Sequence, residues 1–110
     1  MRLLITMLAL AAVTACTTPA ESGGGGDLAR GQAIAENNCS SCHAVGPMGD
    51  SPLPPAPPFR QLSHNYPLNE LEEALAEGIS VGHPAMPPFA FPPEDVDALI
   101  GYLQSIQEAP

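Results

Sequence analysis

The stretch Cys39-Ser40-Ser41-Cys42-His43 decides how the rest of the chain is read. Its two thiols stand about one helical turn apart, and an imidazole follows the second directly. C-x-x-C-H is the attachment pattern of a c-type haem. Thiols at this spacing can reach the two vinyl groups of one porphyrin, and the adjacent histidine can then point its ring at the iron, so Cys39 and Cys42 are the expected attachment points and His43 the expected proximal ligand. Two competing readings are weaker. Zinc calls for further ligands at suitable spacing, and the chain has no second C-x-x-C and no H-x-x-x-H. A dithiol redox pair expects a surrounding strand-helix-strand pattern, which the flanking sequence lacks.

Outward from the motif the chain alternates helical patterns with proline-rich loops. On the N-terminal side Asp27 is a plausible N-cap, and Leu28, Ala29, Ile34 and Ala35 can share one buried helical side up to Asn37 or Asn38. On the other side, Pro47 to Phe59 holds six prolines in thirteen residues, which excludes helix interior and central strand alike and leaves an extended wrap. Leu68, Leu71, Ala74 and Leu75 recur at helical spacing, with Gly78 where a C-terminal cap would fall. A second broken loop runs from Ile79 to Pro92. Pro93 then stands at a first helical position with Glu94 and Asp95 in the first turn, and Val96, Leu99, Ile100, Leu103 and Ile106 form an apolar face. No hairpin dipeptide, period-two segment or internal repeat interrupts this. The expected class is all-α, with three to four helices around one haem.

Composition agrees with a small, cofactor-dependent domain. The 110 residues carry twelve acidic and three basic side chains, none of them lysine, for a net charge of −9. Binding to nucleic acid is excluded, because neutralising phosphates needs clustered Lys and Arg. Fourteen prolines and ten glycines make the chain loop-rich, and five aromatic residues give a thin core. A domain of this size usually needs a disulfide, a metal or a cofactor to complete its interior.

Residues 1–15 are expected to be a signal peptide: Arg2 precedes an apolar run from Leu3 to Val13, closed by small side chains. Eleven helical residues reach only about 17 Å, short of the roughly 30 Å needed to span a bilayer. Val13-Thr14-Ala15-Cys16 is similar to a bacterial lipobox, so lipidation is expected at Cys16, with ordinary cleavage near Ala15 or Ala20 as the alternative. Residues 16–26, ending in four glycines, then form a flexible tether, and the ten residues after Cys16 span about 16–19 Å as a coil. Residues 27–110 form the domain. With one cysteine on lipid and two on haem, none of the three is left over.

From Asp27 to Ile106 the chain resembles the class I cytochrome c family. The resemblance is carried by Leu28-Ala29-Arg30-Gly31, by Cys39 to His43, by Ala56-Pro57-Pro58-Phe59, by His83-Pro84-Ala85-Met86-Pro87 and by Ala98 to Leu103. It implies a small cytochrome c fold with one covalent haem c and its iron. Gly31 and Gly101 each cost a helix about 0.8–1 kcal/mol relative to alanine, which calls for a close helix contact. In the family the terminal helices cross at such residues beside an aromatic, here Tyr102. Ala35 departs from the pattern, since many members carry an aromatic there. By the same resemblance the other ring nitrogen of His43 donates to a backbone carbonyl, that of Pro57, with a rigid spacer as the alternative role for this proline, and Arg60 either pairs with a haem propionate or is an ordinary surface arginine. Met86 is the expected sixth ligand, in a loop whose prolines at 84, 87 and 88 restrict its path. His83 and His64 are the alternatives; Met48 lies too close to His43 to cross to the other haem face. Phe59, Tyr66, Phe89 and Phe91 are expected to pack on the haem, and His64 to face solvent.

The function implied is one-electron transfer between membrane-associated redox proteins on the periplasmic or extracytoplasmic face of a bacterial membrane, with no enzymatic step and no small-molecule substrate. Two alternatives stand beside it: a ligand-binding sensor or peroxidase-like protein with a weak sixth ligand, and a fixed haem subunit of a larger oxidase or dehydrogenase. Glu70, Glu72, Glu73 and Glu77 share one helix without a lysine partner, as either a solvated face or a docking surface for a basic protein.

Overall fold

The computed structural model describes Ala15 and residues 27–78 and 85–110. Cys16, residues 1–14 and 17–26, and His83 lie outside the described residues. Helix α1 spans Leu28–Asn38, α2 spans Glu70–Glu77 and α3 spans Pro93–Ser105, with a 3-10 helix at Phe59–His64. There is no strand among the described residues, so the expected all-α class holds. No described helix is long and apolar enough to cross a membrane.

Local chemistry sets the helix ends. The Asp27 carboxylate accepts from the Arg30 N–H at 3.1 Å and starts α1. The Cys39 N–H closes the last turn on the Ala35 carbonyl at 2.9 Å, and the His43 N–H then reaches back to the Cys39 carbonyl at 2.9 Å. The motif therefore leaves α1 as a compact turn rather than as further helix. Gly78 ends α2 with φ +73, a left-handed conformation that glycine adopts without a Cβ clash. Pro93 begins α3, where its missing N–H would have had no helical partner.

The main packing is α1 across α3, with α2 making a lesser contact with α3. Gly31 sits at the crossing: a Cβ built there would lie 2.0 Å from the Ala98 carbonyl oxygen and 2.7 Å from the Tyr102 Cβ. Ala35, one turn on, is fully buried, so the missing aromatic leaves no exposed gap. The Tyr102 hydroxyl donates to the Val45 carbonyl at 2.8 Å and ties α3 to the segment after the motif. The buried face of α3 is broader than the expected stripe, adding Ala98 and Tyr102 to Val96, Leu99, Ile100 and Leu103.

Three elements depart from the sequence reading. Leu28 is 48% exposed and Ala29 is also exposed, because the crossing is centred on Gly31 and Ala35 and the first turn of α1 projects past it. Helix α2 starts at Glu70, so Leu68 reaches the core from the preceding turn rather than from the helix. The 3-10 helix directly after the proline run was not anticipated; its six residues are too short to show a helical period.

Candidate haem site

The motif forms one edge of a cavity of about 580 Å³ enclosed by the proline wrap, the 3-10 helix, α2, α3 and the Met86 loop. Cys39, His43 and Met86 all line it. A smaller recess of about 70 Å³ is lined by the same three residues together with Cys42. Residues 43 positions apart in sequence are thus brought to one apolar space. Leu71 and Leu75 from α2 and Leu99 and Leu103 from α3 supply much of its wall. Sequence periodicity had marked these leucines as core-facing, and they serve core and cavity together.

His43 is held by the loop that follows it. Its Nδ1 lies 2.8 Å from the Pro57 carbonyl oxygen, a distance at which the ring N–H donates, and its ring stands 4.9 Å from that of Phe59. The loop can grip the motif despite its prolines because the N–H groups that remain are used. Leu53 donates to the Cys42 carbonyl at 3.1 Å and Phe59 to the Ala44 carbonyl at 2.9 Å, while the Ala44 N–H donates to Ser51 Oγ at 3.0 Å. With Nδ1 committed, Nε2 of the buried His43 has no hydrogen-bond partner among the described residues. Burial pushes the Cys39 thiol up to about 11, as expected for sulfur against apolar surroundings.

Met86 is half-buried and lines the cavity with Pro87 and Phe89. The loop is tied to α2 where the Phe91 N–H donates to the Leu75 carbonyl at 2.8 Å, and the Phe89 and Phe91 rings stack at 5.5 Å. Of the four aromatics expected around the haem, Phe59, Tyr66 and Phe89 line the cavity, whereas Phe91 packs on the hydrophobic core beside it. Met48 and His64 are exposed and line neither space.

Arg60 is engaged with the C-terminal segment and the proline wrap. It is not among the cavity-lining residues, and its guanidinium is engaged elsewhere: Nε donates to Glu108 at 2.8 Å and Nη1 to the Gly49 carbonyl at 2.7 Å. The 3-10 helix turns this side chain away from the cavity, where Asn65, Tyr66 and Glu70 provide the polar lining. Sequence gave no sign of the Glu108 partner, 48 residues away.

These features fit a haem attached at C-x-x-C-H. The cavity is predominantly apolar and is lined by Cys39, the smaller recess is lined by Cys39 and Cys42, and one histidine presents a ring nitrogen without a partner among the described residues. Residues 26–103 match the family described as "Cytochrome C oxidase, cbb3-type, subunit III". No curated protein and no solved structure matches the chain. The match covers more than two thirds of the sequence, and the chain belongs to this family of c-type cytochrome domains, carrying a covalently bound haem c with its iron.

Proposed function

We propose that the chain is a one-electron carrier in which Cys39 and Cys42 would attach the haem and His43 and Met86 would hold its iron. The observation that carries this reading is the shared cavity, in which Cys39, His43 and Met86 meet while Nδ1 of His43 is already bonded to Pro57. Bound haem supplies an iron that passes between ferrous and ferric states. The chain does the rest: leucines of α2 and α3 keep water from the cavity, Pro57 and Phe59 fix the His43 ring, and the contact between Phe91 and Leu75 steadies the Met86 loop. Ligands held in this way reorganise little when one electron arrives or leaves. A Met/His pair also raises the reduction potential, which suits delivery to a high-potential acceptor.

The partner in this reading presents a basic surface. Glu70 lines the cavity, and Glu72, Glu73 and Glu77 are exposed along the same short helix. Both arginines of the described residues are in ion pairs, Arg30 with Asp95 and Arg60 with Glu108, so this face has no competing cation. Three of the four glutamates lie in the first turn of α2, where the helix dipole favours negative charge and offsets their repulsion. Electron transfer to the physiological partner is expected to slow steeply as ionic strength rises from about 0.01 to 0.15 M, as the Debye length falls from about 30 to 8 Å. A rate independent of salt would leave the glutamates as a solvated face only.

The family description favours a second reading, a haem subunit held permanently in an oxidase. Purification at high salt separates the two. A mobile carrier dissociates from its partner at high salt, whereas a fixed subunit co-purifies with it. The lipobox-like sequence at Val13 to Cys16 supports anchoring through acyl chains on Cys16, with residues 17–26 as tether. Cys16→Ser is then expected to release a soluble protein that keeps its haem. Mass spectrometry of the mature N-terminus checks this; an unmodified terminus downstream of Cys16 would rule the anchor out.

A further inference from the structure

Away from the cavity, side-chain hydrogen bonds concentrate where the chain leaves α3 and lies along the 3-10 helix. The Gln107 side-chain amide donates to the Phe59 carbonyl at 2.7 Å and to the Leu103 carbonyl at 2.8 Å, while its oxygen accepts from the Ser63 N–H at 2.9 Å. The Glu108 N–H donates to the Arg60 carbonyl at 2.8 Å, and its carboxylate accepts from Arg60 Nε at 2.8 Å and Gln61 Nε2 at 3.3 Å. Two residues thereby occupy the carbonyls of Phe59 and Arg60 and the side chains of Arg60 and Gln61.

The segment they hold is the one that holds His43. Pro57 accepts from Nδ1, the Phe59 ring packs on the imidazole, and the Phe59 N–H is bonded to Ala44. Pro57 and Pro58 have no N–H with which to anchor themselves. The segment is fixed from inside by the motif and from outside by the C-terminal tail.

We propose that Gln107 and Glu108 are positioning residues for His43. By clamping Pro57 to Arg60 they keep the Pro57 carbonyl aligned with Nδ1 and so set the direction and basicity of the imidazole offered to iron. The inference rests on the proposed role of His43 as a haem ligand. Hydrogen bonding at the outer nitrogen makes a histidine a more basic metal ligand, favouring the ferric state. Loosening the clamp is therefore expected to raise the reduction potential and to expose the Nδ1 proton to solvent.

The test uses the full-length holoprotein and its variants Gln107→Leu, Glu108→Ala, Glu108→Gln and Val96→Ala. Reduction potential, exchange of the His43 Nδ1 proton followed by NMR, and thermal midpoint are measured on each. Gln107→Leu and Glu108→Ala are expected to raise the potential and to accelerate exchange at least tenfold. Glu108→Gln, which retains an acceptor for Arg60, should restore both. Val96 is buried in α3 but lines neither cavity, so Val96→Ala should lower the thermal midpoint alone. If Gln107→Leu does not accumulate, Glu108→Ala carries the test, since that side chain is half-exposed at the surface. Variants that lose stability while potential and exchange remain wild type would overturn the proposal and leave a purely structural strap. His43→Ala with an unchanged haem spectrum would instead overturn the ligand assignment beneath it.

Discussion

Met86→Ala is expected to abolish the sulfur-to-iron charge-transfer band completely, lower the reduction potential and open the iron to external ligands. Met86 lines the cavity with Cys39 and His43 and also the smaller recess with Cys42, and its loop is held to α2 through Phe91 and Leu75. A thioether is a soft, weakly hydrated donor that favours ferrous iron, so its removal takes away the contribution that raises the potential. Alanine cannot reach the metal, and a small anion or gas can take the empty position. His83→Ala should leave band, potential and ligand exclusion nearly unchanged. Were the effects exchanged between the two variants, His83 would be the sixth ligand, and Met86 would be a side chain filling space, a common fate for methionine.

Gly31→Ala is expected to produce the largest loss of stability. Its Cβ would lie 2.0 Å from the Ala98 carbonyl oxygen and 2.7 Å from the carbonyl carbon, so backbone rather than a flexible side chain must give way. Alanine gains about 0.8–1 kcal/mol of helix propensity. Overpacking costs about 1–3 kcal/mol and sometimes more, and a clash with a carbonyl in a helix-helix crossing belongs at the upper end. A net loss of about 2 kcal/mol corresponds to a fall of about 8–16 °C in the thermal midpoint of a domain this small. Thermal unfolding of the holoprotein measures it. An unchanged midpoint would mean that α1 and α3 do not meet at Gly31.

What could be read from sequence was whatever local chemistry determines. The Asp27 cap, the Gly78 cap and Pro93 are short-range signals, and the start of α1, the end of α2 and the start of α3 follow from them. The motif named its own cofactor because thiol spacing is local geometry. Long-range pairings were not legible. Nothing near Arg60 in sequence indicates Glu108, and no local pattern marks Gln107 as a partner of Phe59. The exposure of Leu28 has the same origin. Periodicity identifies an apolar face, but only the position of the crossing determines how far along the helix that face is covered. The family resemblance supplied what local patterns could not, including the contact between His43 and Pro57.

The ferric absorption spectrum of the purified, haem-loaded protein tests the electron-carrier reading most directly. With His43 and Met86 both on iron, the spectrum is low-spin, shows the sulfur-to-iron band, and does not change when cyanide is added at low concentration. A high-spin spectrum without that band, shifting at once as cyanide binds, would contradict the account and make the chain a ligand-binding haem protein.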